Sequence, residues 1–286
     1  MGHVAIVTDS TSDLAPEHAA AAGITIVPLY VRFGAEEHRA GVDLTTTEFW
    51  TEMLAPGTAI PTTSAPSPGD FRTTFEKLFA DGADAIVCPT LGTKLSATFQ
   101  SATLAAQALP EREIHVIDTG STSMSTGIPA LIAAELAREG LPAAEIARRV
   151  TDRLADVSLF VAVDTLEYLR KGGRLSAAAA VVGTMLAVKP IITVTDGLVA
   201  MFEKQRTRGK ARARVIELIA QQPIERLAFL HTPTSTAEEL SAFRDAVLAA
   251  IPGGVDPAMV STGLIGASTG PHLGPDLMGA AFLKAR

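Results

Sequence analysis

The sequence predicts a two-domain α/β protein, with an N-terminal three-layer α/β/α domain on a parallel sheet and a C-terminal α/β domain on a mixed sheet. Three observations carry this reading. Short β-branched runs alternate with amphipathic stretches through the first half of the chain, the pattern of successive βαβ units. Several of those runs are apolar throughout, as strands are when helices cover both faces of their sheet. In the second half, Asp196-Gly197 separates Ile191–Thr195 from Leu198–Phe202, a two-residue hairpin signal that makes the pairing there antiparallel.

In chain order, Val4–Val7, Ile24–Val31, Ala85–Cys88, Ile114–Ile117 and Leu159–Val163 read as the strands of the first half. Thr45-Thr46-Thr47-Glu48 has capping-box spacing, and Ser67-Pro68-Gly69-Asp70 puts proline at the first helical position behind a serine cap, so helices start at both. Pro129–Glu139 and Ala143–Leu154 are amphipathic, with Gly140-Leu141-Pro142 as stop and restart. Leu166–Lys171 reads as a short helix closed by Gly172-Gly173, and Leu175–Val188 as an Ala-rich buried one. After the hairpin come a helix over Thr207–Gln221, a strand at Leu227–Leu230, a helix over Ala237–Ala250, and apolar segments at Met259–Ile265 and Leu277–Leu283. The domains are placed at residues 1–160 and 161–286.

Composition narrows the function. The 286 residues carry 24 basic and 31 acidic side chains, a formal net charge of -7, which argues against a nucleic-acid binder that needs a broad basic face. Cys88 is the single cysteine, which excludes an intrachain disulfide and a cysteine-based zinc site. No secretory signal is visible and no apolar run reaches the roughly 20 residues of a spanning helix, so the expectation is a cytoplasmic protein without a transmembrane segment. Aromatic residues are only 5%. The interior is therefore built mostly from Ala, Val, Leu and Ile, a light core with room for a ligand.

The chemistry is expected behind the parallel strands. Thr8-Asp9-Ser10-Thr11-Ser12-Asp13, Pro89-Thr90-Leu91-Gly92-Thr93-Lys94-Leu95-Ser96 and Asp118-Thr119-Gly120-Ser121-Thr122-Ser123 each follow such a strand, and Thr62-Thr63-Ser64-Ala65-Pro66-Ser67 is a fourth hydroxyl-rich segment. Ligands bind outside the carboxyl ends of parallel strands, where loops and helix N-termini converge. Hydroxyl and backbone N–H donors there form a cradle for a carboxylate or a phosphate. Taken singly, each loop is equally what helix capping and turns require. No Walker sequence, dinucleotide fingerprint, zinc-protease motif or nucleophile elbow is present, and the six histidines are scattered, so no metal or cofactor is expected. His272 sits in the stiff loop Gly270-Pro271-His272-Leu273-Gly274-Pro275, either as a structural residue or as a donor aimed at the anion. Basic residues cluster at Arg170-Lys171-Gly172-Gly173-Arg174 and at Lys204-Gln205-Arg206-Thr207-Arg208-Gly209-Lys210, where sequence alone favours a solvated face.

Taken together, Thr8–Leu14, Thr62–Pro68, Leu95–Ala102, Leu169–Leu175 and Lys189-Pro190-Ile191 with Asp196-Gly197 resemble, in order and across essentially the whole chain, the bacterial DegV family. The resemblance implies a non-catalytic protein that holds one long-chain fatty acid, such as palmitate, between its domains. In some members the carboxylate is presented to a separate ATP-dependent fatty acid kinase that makes acyl-phosphate. It places the carboxylate on Thr63 and Ser96, although Ala97 and Phe99 stand where the family has Gly and Tyr. It sets His272 at the family histidine, or Ser268 there in an alternative register. A kinase would dock on Arg170, Lys171, Arg174, Lys204 and Arg206. The competing reading is an enzyme or kinase subunit acting on a small phosphorylated or hydroxylated metabolite, and a third is an unliganded interaction module using the basic patch.

Overall fold

A computed structural model describes residues 2–176 and 188–286. Strands β1 (Val4–Asp9), β2 (Ile24–Val27), β6 (Ala85–Thr90) and β7 (Glu113–Asp118) form a sheet in the order β2-β1-β6-β7, parallel throughout. Side chains alternate across it, as the two-residue strand period dictates. Ala5, Val7, Ile86 and Cys88 face Phe71, Phe75 and Phe79 of α3 (Pro68–Ala80) and Ala102 and Ala105 of α4 (Thr98–Gln107). Ile6, Ala85 and Val87 face the opposite layer, α5 (Met124–Arg138) and α6 (Ala143–Arg153). The expected caps are in place: Ser67 with Asp70 starts α3, and Thr45 with Glu48 starts α2 (Thr46–Met53).

The second sheet has six strands in the order β10-β9-β8-β13-β11-β12. These are β8 (Val157–Ala162), β9 (Lys189–Thr195), β10 (Leu198–Gln205), β11 (Ile224–His231), β12 (Val260–Leu264) and β13 (Met278–Lys284). The β11–β12 pair is parallel and the other pairings are antiparallel, so the sheet is mixed. Its outer face packs Leu227, Phe229, Ala280 and Phe282 against α8 (Arg208–Ile219) and α9 (Ala237–Ala250). The β9–β10 turn places Asp196 and Gly197 at φ 52° and 75°, the geometry of a type I′ turn.

Three expectations are corrected. Leu159–Val163 is no fifth parallel strand: β8 pairs antiparallel with β13 and β9 in the second sheet, so the sheets change over at the short turn Leu154–Asp156. Ile24–Val31 is interrupted at Pro28, because proline cannot donate to a ladder. Its second half becomes β3 (Tyr30–Phe33), centre of a separate antiparallel ribbon with β4 (Glu36–Arg39) and β5 (Thr62–Ser64). The helix expected to begin at Pro129 begins at Met124 and contains that proline. The helix expected over Leu175–Val188 lies, apart from its end residues, outside the described residues.

Helix α5 joins the two halves. It is buried from Met124 through Ala130 and again at Ala133 and Ala134, the signature of a helix with no solvent face at that end. One apolar core runs from Ile6 and Val87 of the first sheet, past Ile128 and Ala130, to Leu159, Val161, Ile192 and Leu230 on the inner face of the second. Gly127 lets the β1 loop approach this helix, since a Cβ there would stand 2.8 Å from the Ser12 carbonyl oxygen and 2.9 Å from Met124 Sδ. Gly127→Ala should therefore destabilise the protein: overpacking costs about 1–3 kcal/mol against roughly 1 kcal/mol of helix propensity gained. The urea midpoint should fall; a raised midpoint would show that the β1 loop yields.

Candidate functional site: a hydroxyl cradle between the sheets

The three loops behind the parallel strands do converge, and much of their polarity is spent on holding one another. Thr8 Oγ1 donates to Pro89 O at 2.8 Å, Thr119 Oγ1 to Thr90 O at 2.8 Å, and the Gly92 N–H to Ser121 O at 2.8 Å. The buried Asp9 carboxylate accepts from the N–H groups of Thr11 at 2.9 Å and Leu91 at 2.8 Å. Desolvation raises its pKa, and these donors only partly offset that. Gly92 passes so close to Gly120 and Ser121 that a Cβ would meet their backbone at 2.8–2.9 Å. Capping and turn chemistry thus accounts for Thr8, Asp9, Asp118 and Thr119, while Ser96, Thr122 and Thr11, whose hydroxyl donates to Asp9 Oδ1, line a cavity.

That cavity, about 60 Å³ between the described walls, takes Thr11, Ser96 and Thr122 from the loops of the first sheet and Thr63, Ser64 and Ala65 from β5 and the residue after it. Ser268, Thr269, His272 and Leu273 enter from the segment that follows β12 and ends in the short helix α10 (Gly270–Leu273). Leu169 and Arg174, at and just beyond α7 (Glu167–Lys171), close it with Val199 of the β10 hairpin strand. An apolar compartment of about 20 Å³ shares Thr122, Val199 and Leu273 with it and runs inward between Leu159, Val161, Ile192, Leu230 and Leu277.

Thr63 and His272 meet directly, with Oγ1 and Nε2 2.8 Å apart. Nδ1 of His272 is buried without a partner among the described residues, against Gly172, where any Cβ would collide with it. Burial, and secondarily the positive charge of Arg174, pull the His272 pKa down to about 4, so the ring is neutral at neutral pH. An unpartnered ring acceptor beside a guanidinium costs less than an unpartnered N–H. The proton therefore belongs on Nε2, which donates to Thr63 Oγ1 and frees the threonine hydroxyl to donate into the cavity. Ser96 Oγ lies 2.9 Å from Thr98 Oγ1 at the N-terminus of α4, where the helix dipole favours an anion. Ser268 Oγ is 2.7 Å from Ser10 Oγ. Ser268 and His272 both line the cavity, but it is His272 that reaches Thr63.

Of the basic residues, Arg174 turns inward: its guanidinium donates to Leu95 O at 3.3 Å and to Gly172 O, and it lines the cavity. Arg170, Lys171, Lys204 and Arg206 are exposed, with Lys171 paired to Glu167 at 2.7 Å. Arg208 of the second basic segment is spent, with Lys189, on the Asp164 carboxylate, which accepts from Lys189 at 2.5 Å and Arg208 at 2.8 Å. Lys94 reaches Asp196 O at 2.8 Å and straps the first domain to the hairpin. No group of three metal-ligating side chains occurs among the described residues, and none of their helices is long and apolar enough to cross a membrane.

Asp13 was not singled out as a site residue by the sequence, yet it organises one wall. Its buried carboxylate accepts from Ser123 Oγ at 2.6 Å, Gly266 N at 2.9 Å and Thr269 Oγ1 at 2.9 Å. Nothing in the pattern Ser12-Asp13-Leu14 marks burial; the donors come from residues more than a hundred positions away.

The fold and cavity define a class: two α/β layers packed on a shared core, with a cavity lined by hydroxyls and one guanidinium between the sheets. The DegV family model, described as an uncharacterised protein family, matches residues 3–285, and the chain belongs to this family. A DegV domain-containing protein of Streptomyces coelicolor is 37% identical over 97% of both chains. Among solved structures, a Thermus thermophilus DegV family protein described as fatty acid binding superimposes with TM-score 0.88 at 32% identity over 100% of both chains. Bacillus subtilis DegV, described as a fatty acid binding protein, gives 0.87 at 31% over 100% of both.

Desolvation holds the Asp13 pKa up at about 6, with the Asp9 charge a minor contribution and the three donors opposing. The folded chain thus keeps a proton between about pH 4 and 6 that the unfolded chain has released, so stability falls as pH rises through that window. Asp13→Asn cannot ionise and keeps an oxygen for Gly266 and Thr269. Its stability, measured by urea unfolding, should vary less between pH 4 and 6 than that of the parent chain; parallel curves would contradict the assignment.

Proposed function

We propose that this protein binds one long-chain fatty acid between its domains, with the carboxylate on Thr63 and Ser96, His272 orienting the Thr63 hydroxyl, and the chain running into the apolar compartment. The observation that carries the reading is the joining of a polar cradle, with an inward guanidinium at Arg174, to a compartment walled by Leu159, Val161, Ile192 and Leu277. The described relatives from Thermus thermophilus and Bacillus subtilis support it. Each buried methylene contributes roughly 0.8 kcal/mol, so the chain supplies affinity and the cradle supplies orientation. The cavity as it stands seats a head group; a long chain requires Leu169, Val199 and Leu273 to part.

The cradle is suited to holding rather than cutting. Ser96 is partnered by Thr98, and the neutral His272 by Thr63, so neither hydroxyl has the oriented base that a nucleophile requires. We infer that the bound carboxylate is handed to a separate ATP-dependent kinase, which docks on the exposed Arg170, Lys171, Lys204 and Arg206; Arg174 serves the cradle instead. The site of action is expected to be the cytoplasm.

Two outcomes test this. Lipid extraction and mass spectrometry of purified protein should yield one long-chain fatty acid per chain, and Thr63→Ala or Ser96→Ala should each weaken its binding by about 1.5–3 kcal/mol, roughly tenfold to a hundredfold; parent-like affinity in both variants places the carboxylate elsewhere. Arg170→Glu combined with Arg206→Glu should leave fatty-acid affinity intact and slow acyl-phosphate formation by an added fatty acid kinase, with the defect shrinking as salt rises. Parent-like turnover at low salt removes these residues from the docking surface.

A further inference from the structure

Asp13 lies between β1 and α1 (Pro16–Ala22) and does not line the cavity that holds Thr63, Ser96 and His272. A continuous series of hydrogen bonds nonetheless leads from it to that cavity. Its carboxylate takes the Gly266 N–H and the Thr269 hydroxyl, each at 2.9 Å. Gly266 O then accepts the N–H groups of Thr269 and Gly270 at 3.3 and 2.8 Å, and Thr269 O accepts those of His272 and Leu273 at 3.1 and 3.2 Å. His272 Nε2 ends the series on Thr63 Oγ1. Asp13 and Thr269 are both buried, so water does not compete for these bonds.

The same segment is held a second time, from α2. The Trp50 indole N–H donates to Ile265 O at 2.7 Å. Phe49 and Trp50 are buried edge to face with ring centroids 5.1 Å apart, and Gly270 is seated so closely on them that any Cβ would collide with the Phe49 ring. We propose that Asp13 and Trp50 are positioning residues for head-group binding: together they set the register of residues 265–272 and so the placement of the His272 ring on Thr63. This role rests on the fatty-acid reading of the cavity, because the Thr63 hydroxyl is free to donate to a carboxylate only while Nε2–H donates to it. A hydrogen bond weakens steeply once its angle falls below ~120°, so a shift of about 1 Å in the segment breaks the His272–Thr63 contact without altering either residue. A purely structural role for Asp13 and Trp50 would instead lower stability and leave the affinity of the folded chain unchanged.

The test uses the full chain, with palmitate binding followed by calorimetry and the ligand-free, histidine-labelled protein followed by nitrogen NMR. Parent His272 should show the Nε2–H tautomer. Asp13→Ala should lose that signal and bind palmitate about tenfold more weakly, whereas Asp13→Asn, which keeps an oxygen for Gly266 and Thr269, should keep the signal and stay within about threefold of the parent. Trp50→Phe, which removes one N–H and keeps an aromatic ring, should lose the signal and weaken binding about threefold to tenfold. In a Thr63→Ala background the Trp50→Phe loss should shrink to under about twofold, because the effect travels through Thr63. The proposal is overturned if the parent lacks the Nε2–H signal, if Asp13→Ala and Trp50→Phe both keep parent-like affinity, or if their losses add in full to that of Thr63→Ala. Should Asp13→Ala fail to fold, Trp50→Phe and its pairing with Thr63→Ala decide alone. A parent chain that holds no palmitate refutes the fatty-acid reading instead; the Nε2–H signal then decides the positioning role, sustained if both variants lose it and overturned if both keep it.

Discussion

The buried carboxylate of Asp13 is the interaction on which the cavity depends. It sits just after β1 and ties its own loop to two other segments: the start of α5 through Ser123, and the segment between β12 and α10 through Gly266 and Thr269. Two of these residues hold unusual backbone to do so, Asp13 at φ 51° and Ser123 at φ 57°, ψ -148°, conformations that cost on the order of 1–3 kcal/mol each for a residue with a side chain. The segment thus fixed carries Ser268, Thr269 and His272. Trp50 braces it from the other side, its indole N–H donating to Ile265 O at 2.7 Å. The histidine that meets Thr63 is therefore positioned by an aspartate that touches neither.

The same geometry packs the two sheets onto one core around the site. Their interface is a core rather than a contact between surfaces: Ile128 and Ala130 of α5 are fully buried, with residues of both sheets in one apolar cluster around them. Packed interiors resist hinge motion because opening them exposes apolar area at roughly 25 cal/mol per Å². Access to the cavity must then come from its thin walls, α7, the β10 strand and α10, which carry Leu169, Val199 and Leu273. The straps across this side are single polar contacts, Lys94 to Asp196 O and Arg174 to Leu95 O, which are far cheaper to release than the core.

Local chemistry was legible in the sequence where one short segment decides the outcome. The Ala237–Ala250 helix starts where Thr236 and Glu239 form a capping box, and Asp196-Gly197 makes its hairpin. Direction was not legible: Leu159–Val163 is apolar whichever way its neighbours run, so its transfer to the antiparallel sheet depended on β13, over a hundred residues later. The ribbon bearing Thr63 was hidden for a similar reason, since Pro28 splits an apolar run into strands of different sheets. In the site, Thr63, Ser96 and His272 were carried by resemblance and the structure brings all three to one cavity. Arg174 was read with its basic neighbours because a charge cluster in sequence does not reveal which member turns inward. Two backbone carbonyls, Leu95 O and Gly172 O, turn this one.

The cradle's mixture of donors bears on release as much as on holding. If His272 were charged, a carboxylate in the cavity would lie between two cations, the half-buried Arg174 and the buried imidazolium, and departure would leave both unmatched in a space partly shielded from solvent. Burial and Arg174 together keep the ring neutral, so a single cation faces the cavity, and that cation is anchored on carbonyl oxygens. Neutral hydroxyls from Thr63 and Ser96 contribute direction without further charge, and in the empty state each keeps a partner, His272 and Thr98 respectively. On the proposed reading the protein therefore loses little when the carboxylate leaves its head-group contacts, and retention falls to the buried chain. A carrier that must present its cargo's head to another protein needs that division: a head held in register but released readily, and a tail that stays.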